Sequence, residues 1–432
     1  MSPSPRRGRR ERAALVGLAS GSSVRRLDAE RSMEELAGLA GAVGAEVVLR
    51  VIQERPRPDA ATFLGSGKIA TLAQACDESA VDLVVFDDEL TPAQLRQIES
   101  RLDRKVVDRT QVILDIFAAR ARTREGKWQV ELAQLKYLLP RLVGAGAALS
   151  RLGGGIGTRG PGETKLETDR RRLRQRIAAI QREMDLVRRR RSQLRERRRK
   201  GSMPTVALVG YTNAGKTTLF NVLTRESADV SDALFVTLDP LVRRVRGGDL
   251  HDLLLSDTVG FIDRLPHALV AAFRATLEEV AEADLLLHVV DAASEGTDRR
   301  MAAVRRVLED VDAADVPVLE VMNKCDRLDE AERRRLEHAF PDAWLVSAMT
   351  GAGCHELLDA VSSRLALDTC RVTLEFNPDL EADRQRIGQL YRHGRVIGHV
   401  ACPGRVSIEA EVPRRLLDRF MPDRAGALAA LP

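Results

Sequence analysis

The run Thr205-Val-Ala-Leu-Val-Gly210-Tyr211-Thr212-Asn213-Ala214-Gly215-Lys216-Thr217-Thr218-Leu-Phe-Asn-Val-Leu223 decides the reading of this chain. Five β-prone residues lead into the spacing GxxxxGK[ST], and a helical pattern follows. Glycines let backbone N–H groups wrap phosphate oxygens, and the helix N-terminus points its positive dipole end at the same place. Lys216 is then placed to reach the β- and γ-phosphates, and the Thr217 hydroxyl to ligate Mg²⁺. Strand, loop and helix in that order make this a nucleotide site in an α/β domain.

Two further elements follow. Leu253-Leu-Leu-Ser-Asp257-Thr258-Val259-Gly260 is an apolar strand ending in DxxG. It places Asp257 beside Mg²⁺ through water and lets the Gly260 N–H touch the γ-phosphate. Residues 316–322 read as another buried strand, ending in Asn323-Lys324-Cys325-Asp326, the spacing NKxD. A carboxylate there accepts two hydrogen bonds from guanine N1 and the exocyclic amine, which adenine does not offer. Ser347-Ala348-Met349, after a strand at 343–346, supplies a backbone donor to the guanine oxygen. The combination selects GTP. Between loop and DxxG, Phe235-Val236-Thr237-Leu238-Asp239 is where a mobile segment should close over Mg²⁺ and γ-phosphate, with Thr237 as the closing residue and Ser231 the lesser candidate.

After Gly260 comes Phe261, where many small GTPases carry a glutamine that orients the attacking water. A phenyl ring offers water no hydrogen bond, so slow intrinsic turnover is expected, helped by a partner or a cation. Asn213 has two readings: it coordinates K⁺ beside the phosphates, or it caps the loop. The catalytic set is Lys216, Thr237, Gly260 and Asn213, and the metal set is Thr217, Thr237 and Asp257.

Outward from this site, 432 residues suffice for two to four domains, and 44% hydrophobic content argues against a disordered chain. No apolar run nears the roughly 20 residues that span a bilayer, which excludes an integral membrane protein. Behind a basic arm (1–12), the short apolar run at 13–19 reads as a buried first strand instead of a signal peptide. The five cysteines are scattered without a CxxC pair, and the seven histidines show no HExxH. A disulfide framework, a cysteine zinc site and a zincin are thereby excluded, and a reducing, cytoplasmic compartment is expected.

Strands alternate with helices through residues 13–108, giving a small N-terminal α/β subdomain with strands at 47–52 and 83–86 and helices at 68–76 and 92–102. Residues 109–200 read as a long antiparallel helical hairpin around a tip at 144–162 that holds eight glycines. Its second arm has the seam Leu173, Ile177, Ile180, Met184, Val187 and Leu194. The nucleotide domain occupies 204–366, and 371–432 form a small, β-rich α+β tail. The fold class is thus multidomain α/β. Three features resemble sites without being read as such. Gly65-Ser-Gly-Lys68 has Thr62 where a phosphate loop needs glycine; Gly155–Gly160 spells GxGxxG with no preceding strand; Trp128 and Tyr137 read as packing residues.

The net charge of +5 is unevenly spread. Residues 170–200 carry fifteen Lys/Arg against three acids, a local +12, which leaves −7 for the rest. Arg188–Arg191 and Arg197–Lys200 wrap the helix with few acidic partners at i,i+4, favouring phosphate contacts in RNA over a merely solvated face.

Ser150-Arg-Leu-Gly-Gly-Gly-Ile-Gly-Thr-Arg-Gly-Pro-Gly-Glu-Thr-Lys-Leu-Glu-Thr-Asp-Arg-Arg171 resembles the signature of the HflX family of bacterial GTPases. So do Asp257-Thr-Val-Gly-Phe-Ile-Asp-Arg-Leu-Pro-His267, Ala271-Ala-Phe-Arg-Ala-Thr-Leu-Glu-Glu279, Ala61-Thr-Phe-Leu-Gly-Ser-Gly-Lys68 and Phe235–Asp239. The resemblance implies a Ras-like GTPase domain, GTP as substrate with Mg²⁺, and a monomer that binds the large (50S) ribosomal subunit. In that picture the glycine-rich tip approaches 23S RNA near the peptidyl transferase region, and the protein acts in ribosome splitting, rescue or recycling under stress. The rival readings are a ribosome-assembly or RNA-modification GTPase, and an RNA-binding module indifferent to nucleotide.

Overall fold

A computed structural model of the chain describes residues 10–19, 23–142, 161–200, 203–226, 234–247, 251–264, 269, 277, 279–365 and 369–421. The glycine-rich tip at 144–160, its GxGxxG run and Ser231 lie outside the described residues, as do the side chains of Arg188 and of residues 190–200. No described helix is long and apolar enough to cross a membrane. The contacts divide the chain into two units: Met1–Arg190 with Ser231–Asp239 and Ile262–Thr276, and Arg191–Val230 with Pro240–Phe261 and Leu277–Pro432.

In the first unit, β1 (Arg12–Ala19), α1 (Ser23–Ala42), β2 (Glu46–Glu54), α2 (Ser66–Glu78), β3 (Leu83–Phe86), α3 (Pro92–Leu102) and β4 (Lys105–Asp108) alternate. The four strands make a parallel sheet in the order β2-β1-β3-β4. Val16, Val84, Phe86, Leu72 and Ile98 fill one core. α1 has no counterpart among the sequence expectations; it buries a narrow stripe of Met33, Leu36, Leu39 and Ala40 in a charged helix. Gly65–Lys68 is the turn that opens α2, with the Thr62 hydroxyl donating to the Leu64 carbonyl at 2.7 Å.

The helical pattern after residue 109 breaks into α4 (Arg109–Arg120) and α5 (Arg124–Leu142). Both are tied to Asp108, which is fully buried at the end of β4. Its carboxylate accepts from the backbone of Gln111 (2.9 Å) and Leu90 (3.1 Å), from the Tyr137 hydroxyl (2.8 Å) and from Arg141 (3.0 Å). Tyr137 is therefore a packing residue with one polar anchor, and burial holds its phenol protonated. α6 (Pro161–Lys200) lies against α5 through Leu132, Ile180 and Met184, with Trp128, Leu135 and Ile177 at the edges. Arg176 adds a two-pronged contact to Glu131, at 2.7 and 2.8 Å.

Two later segments pack on this unit. The Asp239 carboxylate accepts the N–H groups of Arg122 (3.1 Å) and Thr123 (2.9 Å) and bonds the Thr123 hydroxyl, which accepts from Gly126 N–H at 2.9 Å. The first turn of α5 is thus capped by the Thr123 hydroxyl on Gly126, and Thr123 is itself braced by a residue 116 positions away. Phe235, at φ +56°, sets its ring edge-on against Phe117 with centroids 4.7 Å apart. From 262–276, Arg264 reaches Asp87 and Asp88, both at 3.3 Å, and the Asp263 carbonyl accepts from Arg109 at 3.1 Å.

The second unit carries β5 (Thr205–Val209), α7 (Lys216–Thr224), β6 (Leu241–Gly247), β7 (His251–Asp257), β8 (Leu285–Asp291), α8 (Thr297–Asp310), β9 (Val318–Asn323), α9 (Glu330–Ala339), β10 (Trp344–Leu345) and α10 (Cys354–Arg364). Its sheet runs β10-β9-β8-β5-β7-β6, with β6 antiparallel at one edge and the other neighbours parallel. Val206, Leu208, Leu255, Leu287, Val321 and Leu357 are among its core residues. A separate antiparallel sheet follows, β11 (Thr369–Phe376), β13 (Arg405–Pro413) and β12 (Arg395–Cys402) in that order, covered by α11 (Glu381–His393) and α12 (Leu417–Phe420) around Phe376, Leu390, Ile408 and Phe420.

Asp108→Ala should unsettle the root of α5, because it removes the acceptor of the Tyr137 hydroxyl and the nearer of the two carboxylates paired with the nine-tenths-buried Arg141. A loss of roughly 3–5 kcal/mol is expected in chemical denaturation. A loss under about 1 kcal/mol would remove Asp108 as the anchor.

Candidate functional site

Every candidate nucleotide contact after Gly210 except the 235–239 segment lies in the second unit, at the carboxyl ends of its parallel strands, where α/β sheets bind ligands. β5 is central, between β7 and β8. The loop that leaves it needs glycine twice. At Gly210 (φ +151°) a β-carbon would collide with the Val289 carbonyl, and at Gly215 (φ +88°) with the Asn323 amide. Asn213 holds the left-handed region at φ +60°; its side chain is exposed, and among the described residues no hydrogen bond ties that side chain to the loop.

Lys216 opens α7 and is only 6% exposed. Its ammonium donates to the carbonyls of Gly210 (3.1 Å) and Tyr211 (2.9 Å). Burial pulls its pKa down to about 8, against the attraction of Asp257. Next to it, the Thr217 hydroxyl donates to Asp257 Oδ2 at 2.8 Å, and Asp257 is fully buried. A hydroxyl and a carboxylate that close suit a small hard cation such as Mg²⁺. Thr218 is half-buried on the same turn, and Thr258 is spent structurally, its buried hydroxyl donating to the Leu208 carbonyl at 2.6 Å.

Three strand ends support the loop. Asn323, 1% exposed at the end of β9, donates to the Ala214 carbonyl and accepts from Ala348 N–H, both at 2.9 Å. A guanine oxygen arriving at Ala348 therefore meets a donor that Asn323 already engages, with Met349 exposed beside it. Lys324 donates to the Asn213 carbonyl (2.7 Å) and to Asp291 at the end of β8 (2.8 Å). The Ser347 hydroxyl donates to Asp326 at 2.6 Å, which orients the carboxylate expected to read the base. Cys325 between them is half-buried, and burial pushes its thiol up, so it is no nucleophile. Asp291 and the Ser347 hydroxyl went unrecognised in the sequence, although Asp291 closes an unbroken apolar strand in the way Asp257 does.

DxxG lies directly on the phosphate loop. Phe261 N–H donates to the Gly210 carbonyl (3.0 Å), and Thr212 N–H donates to the Phe261 carbonyl (2.7 Å), extending the β5–β7 pairing. The Phe261 side chain is 1% exposed. Gly260 packs so closely that a β-carbon there would stand 2.9 Å from Thr212 Cγ2 and 3.1 Å from Lys216 Nζ. Val259 is buried beside it. The remaining candidates, Phe235, Val236, Thr237, Leu238 and Asp239, belong to the first unit, where Asp239 braces the Thr123 cap of α5 and Phe235 and Leu238 are buried. Among the described residues no group of three His, Cys, Asp or Glu could hold a metal.

The depressed Lys216 makes nucleotide binding pH-dependent. Phosphate raises the lysine pKa back above about 8, so binding takes up a proton above that pH. GDP affinity should be level below about pH 8 and fall as pH rises through 9, by up to about tenfold per unit. Calorimetry in buffers of different ionisation enthalpy should show proton uptake near pH 9, and level affinity from pH 7 to 9.5 would refute the link.

Residues 30–118 match the family described as GTP-binding GTPase N-terminal, 120–198 the GTP-binding GTPase Middle Region, and 205–324 the 50S ribosome-binding GTPase. GTPase HflX of Caldanaerobacter subterraneus subsp. tengcongensis is 44% identical over 95% of this chain and 93% of its own length. GTPase HflX of Escherichia coli is 48% identical over 83% of this chain and 84% of its own. A solved GTP-binding protein of Sulfolobus solfataricus in complex with GDP overlaps 82% of this chain and 98% of its own, at 23% identity and TM-score 0.42. The two HflX relatives are more than 40% identical over most of their length and of this chain, and the chain belongs to the HflX family of GTPases.

Proposed function

We propose that this GTPase binds the large ribosomal subunit in its GTP state, acts there in splitting, rescue or recycling of ribosomes, and is released when hydrolysis relaxes the 235–239 segment. In this reading Mg²⁺ is held by Thr217 and Asp257, Thr237 closes over it, and Gly260 senses the γ-phosphate. K⁺ at Asn213 supplies charge beside the phosphates. The glycine-rich tip and the arginines of α6 face 23S RNA in the cytoplasm, through phosphate contacts.

One observation carries the reading: the segment that should respond to γ-phosphate also braces the N-cap of α5, through Asp239 on the N–H groups of Arg122 and Thr123 and on the Thr123 hydroxyl. α5 runs from that cap to Leu142, directly before the tip. Nucleotide state therefore has a physical handle on the arm that meets RNA. The family description 50S ribosome-binding GTPase supports the choice of partner.

GTP turnover measured with large subunits, small subunits or neither, in K⁺ and in Na⁺, tests it. Large subunits alone should stimulate at least about tenfold; no stimulation would sink the partner. K⁺ stimulation without ribosomes would support Asn213, and equal rates in both salts would dismiss it. Asp239→Ala should narrow the difference in large-subunit binding between GTP-analogue and GDP forms while GDP affinity holds. An unchanged difference would break the link to α5. Asp326→Asn should shift preference from guanine to xanthine nucleotides, and unchanged guanine selectivity would remove Asp326 from base recognition.

A further inference from the structure

The hydroxyl of Thr212 is buried in the phosphate loop and has no hydrogen-bond partner among the described residues. Thr212 is 6% exposed, and its N–H is committed to the Phe261 carbonyl at 2.7 Å. Its Cγ2 and Cα lie 2.9 and 3.0 Å from where a β-carbon on Gly260 would stand, and Lys216 Nζ lies 3.1 Å from the same point. Thr212, the Lys216 ammonium and Gly260 therefore converge. Given the proposed nucleotide site, on which this inference rests, they converge at the γ-phosphate end.

A glutamine-like role is closed to residue 261. The Phe261 backbone is paired with the loop on both sides and its ring is buried, so the side chain points into protein. Hydrolysis still requires a group that orients water against the γ-phosphorus, and a threonine hydroxyl both donates and accepts hydrogen bonds. The methyl of Thr212 packs against Gly260, and a β-branched side chain so wedged has few rotamers, which fixes the hydroxyl.

We propose that Thr212 is a catalytic residue, its Oγ1 accepting a hydrogen bond from the attacking water and donating one to a γ-phosphate oxygen. The water oxygen bonds to the γ-phosphorus as the bond to the β,γ-bridging oxygen breaks, and that electron pair leaves on GDP. The water proton ends on the released phosphate. Thr212 keeps its own proton, so its work is orientation.

The test uses the full chain. Thr212→Val replaces the hydroxyl by a methyl of the same shape, and Thr212→Ser restores it. Single-turnover hydrolysis at saturating GTP should slow about tenfold or more in the valine variant and stay within about threefold of the parent in the serine variant. Affinities for GDP and for a non-hydrolysable GTP analogue should change by less than about threefold. Valine turnover within threefold of the parent would overturn the proposal. So would a loss of analogue affinity as large as the loss of rate, because the hydroxyl would then bind ground-state phosphate. Should valine disturb GDP binding, Thr212→Ala, which cannot clash, takes its place with the same expectations. Lys216→Ala tests the site separately: tight GTP binding by that variant would refute the nucleotide-site reading and leave the hydroxyl question to a relocated site.

Discussion

A lysine ammonium that is 6% exposed, with two carbonyls in hydrogen-bond reach and one carboxylate nearby, sets the terms for the nucleotide domain. Holding a charge there is costly, and burial accordingly pulls the lysine pKa down to about 8. The fold tolerates it because the parallel strands beside β5 end in groups that brace the loop. β7 ends in Asp257 on Thr217, β8 in Asp291 on Lys324, and β9 in Asn323 on Ala214. The carbonyls of Gly210 and Tyr211 converge on the ammonium only because Gly210 adopts a backbone angle that no side chain permits against Val289.

The same closeness explains what residue 261 can and cannot be. Because DxxG continues the pairing of β5 with β7 onto the loop, the side chain after Gly260 is directed into the core, where a phenyl ring is favoured and an amide would be buried. The missing glutamine is thus a consequence of sheet geometry and not an isolated loss. Gly260 follows from the same constraint, since Thr212 and Lys216 leave no room for a β-carbon.

What the sequence made legible is what the backbone imposes locally. GxxxxGK[ST], DxxG and NKxD have fixed spacing because each is one turn at one strand end, and β3, α3 and β5 occupy the expected residues for the related reason that periodicity and caps are local. Partners far apart in sequence left no such mark. Asn323 and Ala214 are 109 residues apart, Asp326 and Ser347 are 21 apart, and nothing in either stretch names the other. Asp239 shows the cost of that blindness. Its segment is expected to respond to nucleotide, yet its carboxylate is committed to Arg122 and Thr123 at the entry to α5. α1 escaped notice because a charged helix with a four-residue buried stripe has weak amphipathic contrast.

The size of the Asp239 contact decides whether it can act as a switch. An N-cap contributes about 0.5–2 kcal/mol, and functional coupling between sites typically spans 1–3 kcal/mol. A contact of that strength biases the 234–239 segment without locking it. The Asp108 anchor is different in kind: three hydrogen bonds to a fully buried carboxylate hold α4 and α5 to the sheet, and a fourth holds Leu90. One end of α5 therefore begins under a reversible cap, while Tyr137 and Arg141 near its other end are fixed to the sheet. Displacing Asp239 frees the N–H groups of Arg122 and Thr123, just before α5, and loosens the Thr123 cap, so the helix answers by fraying at that end instead of detaching.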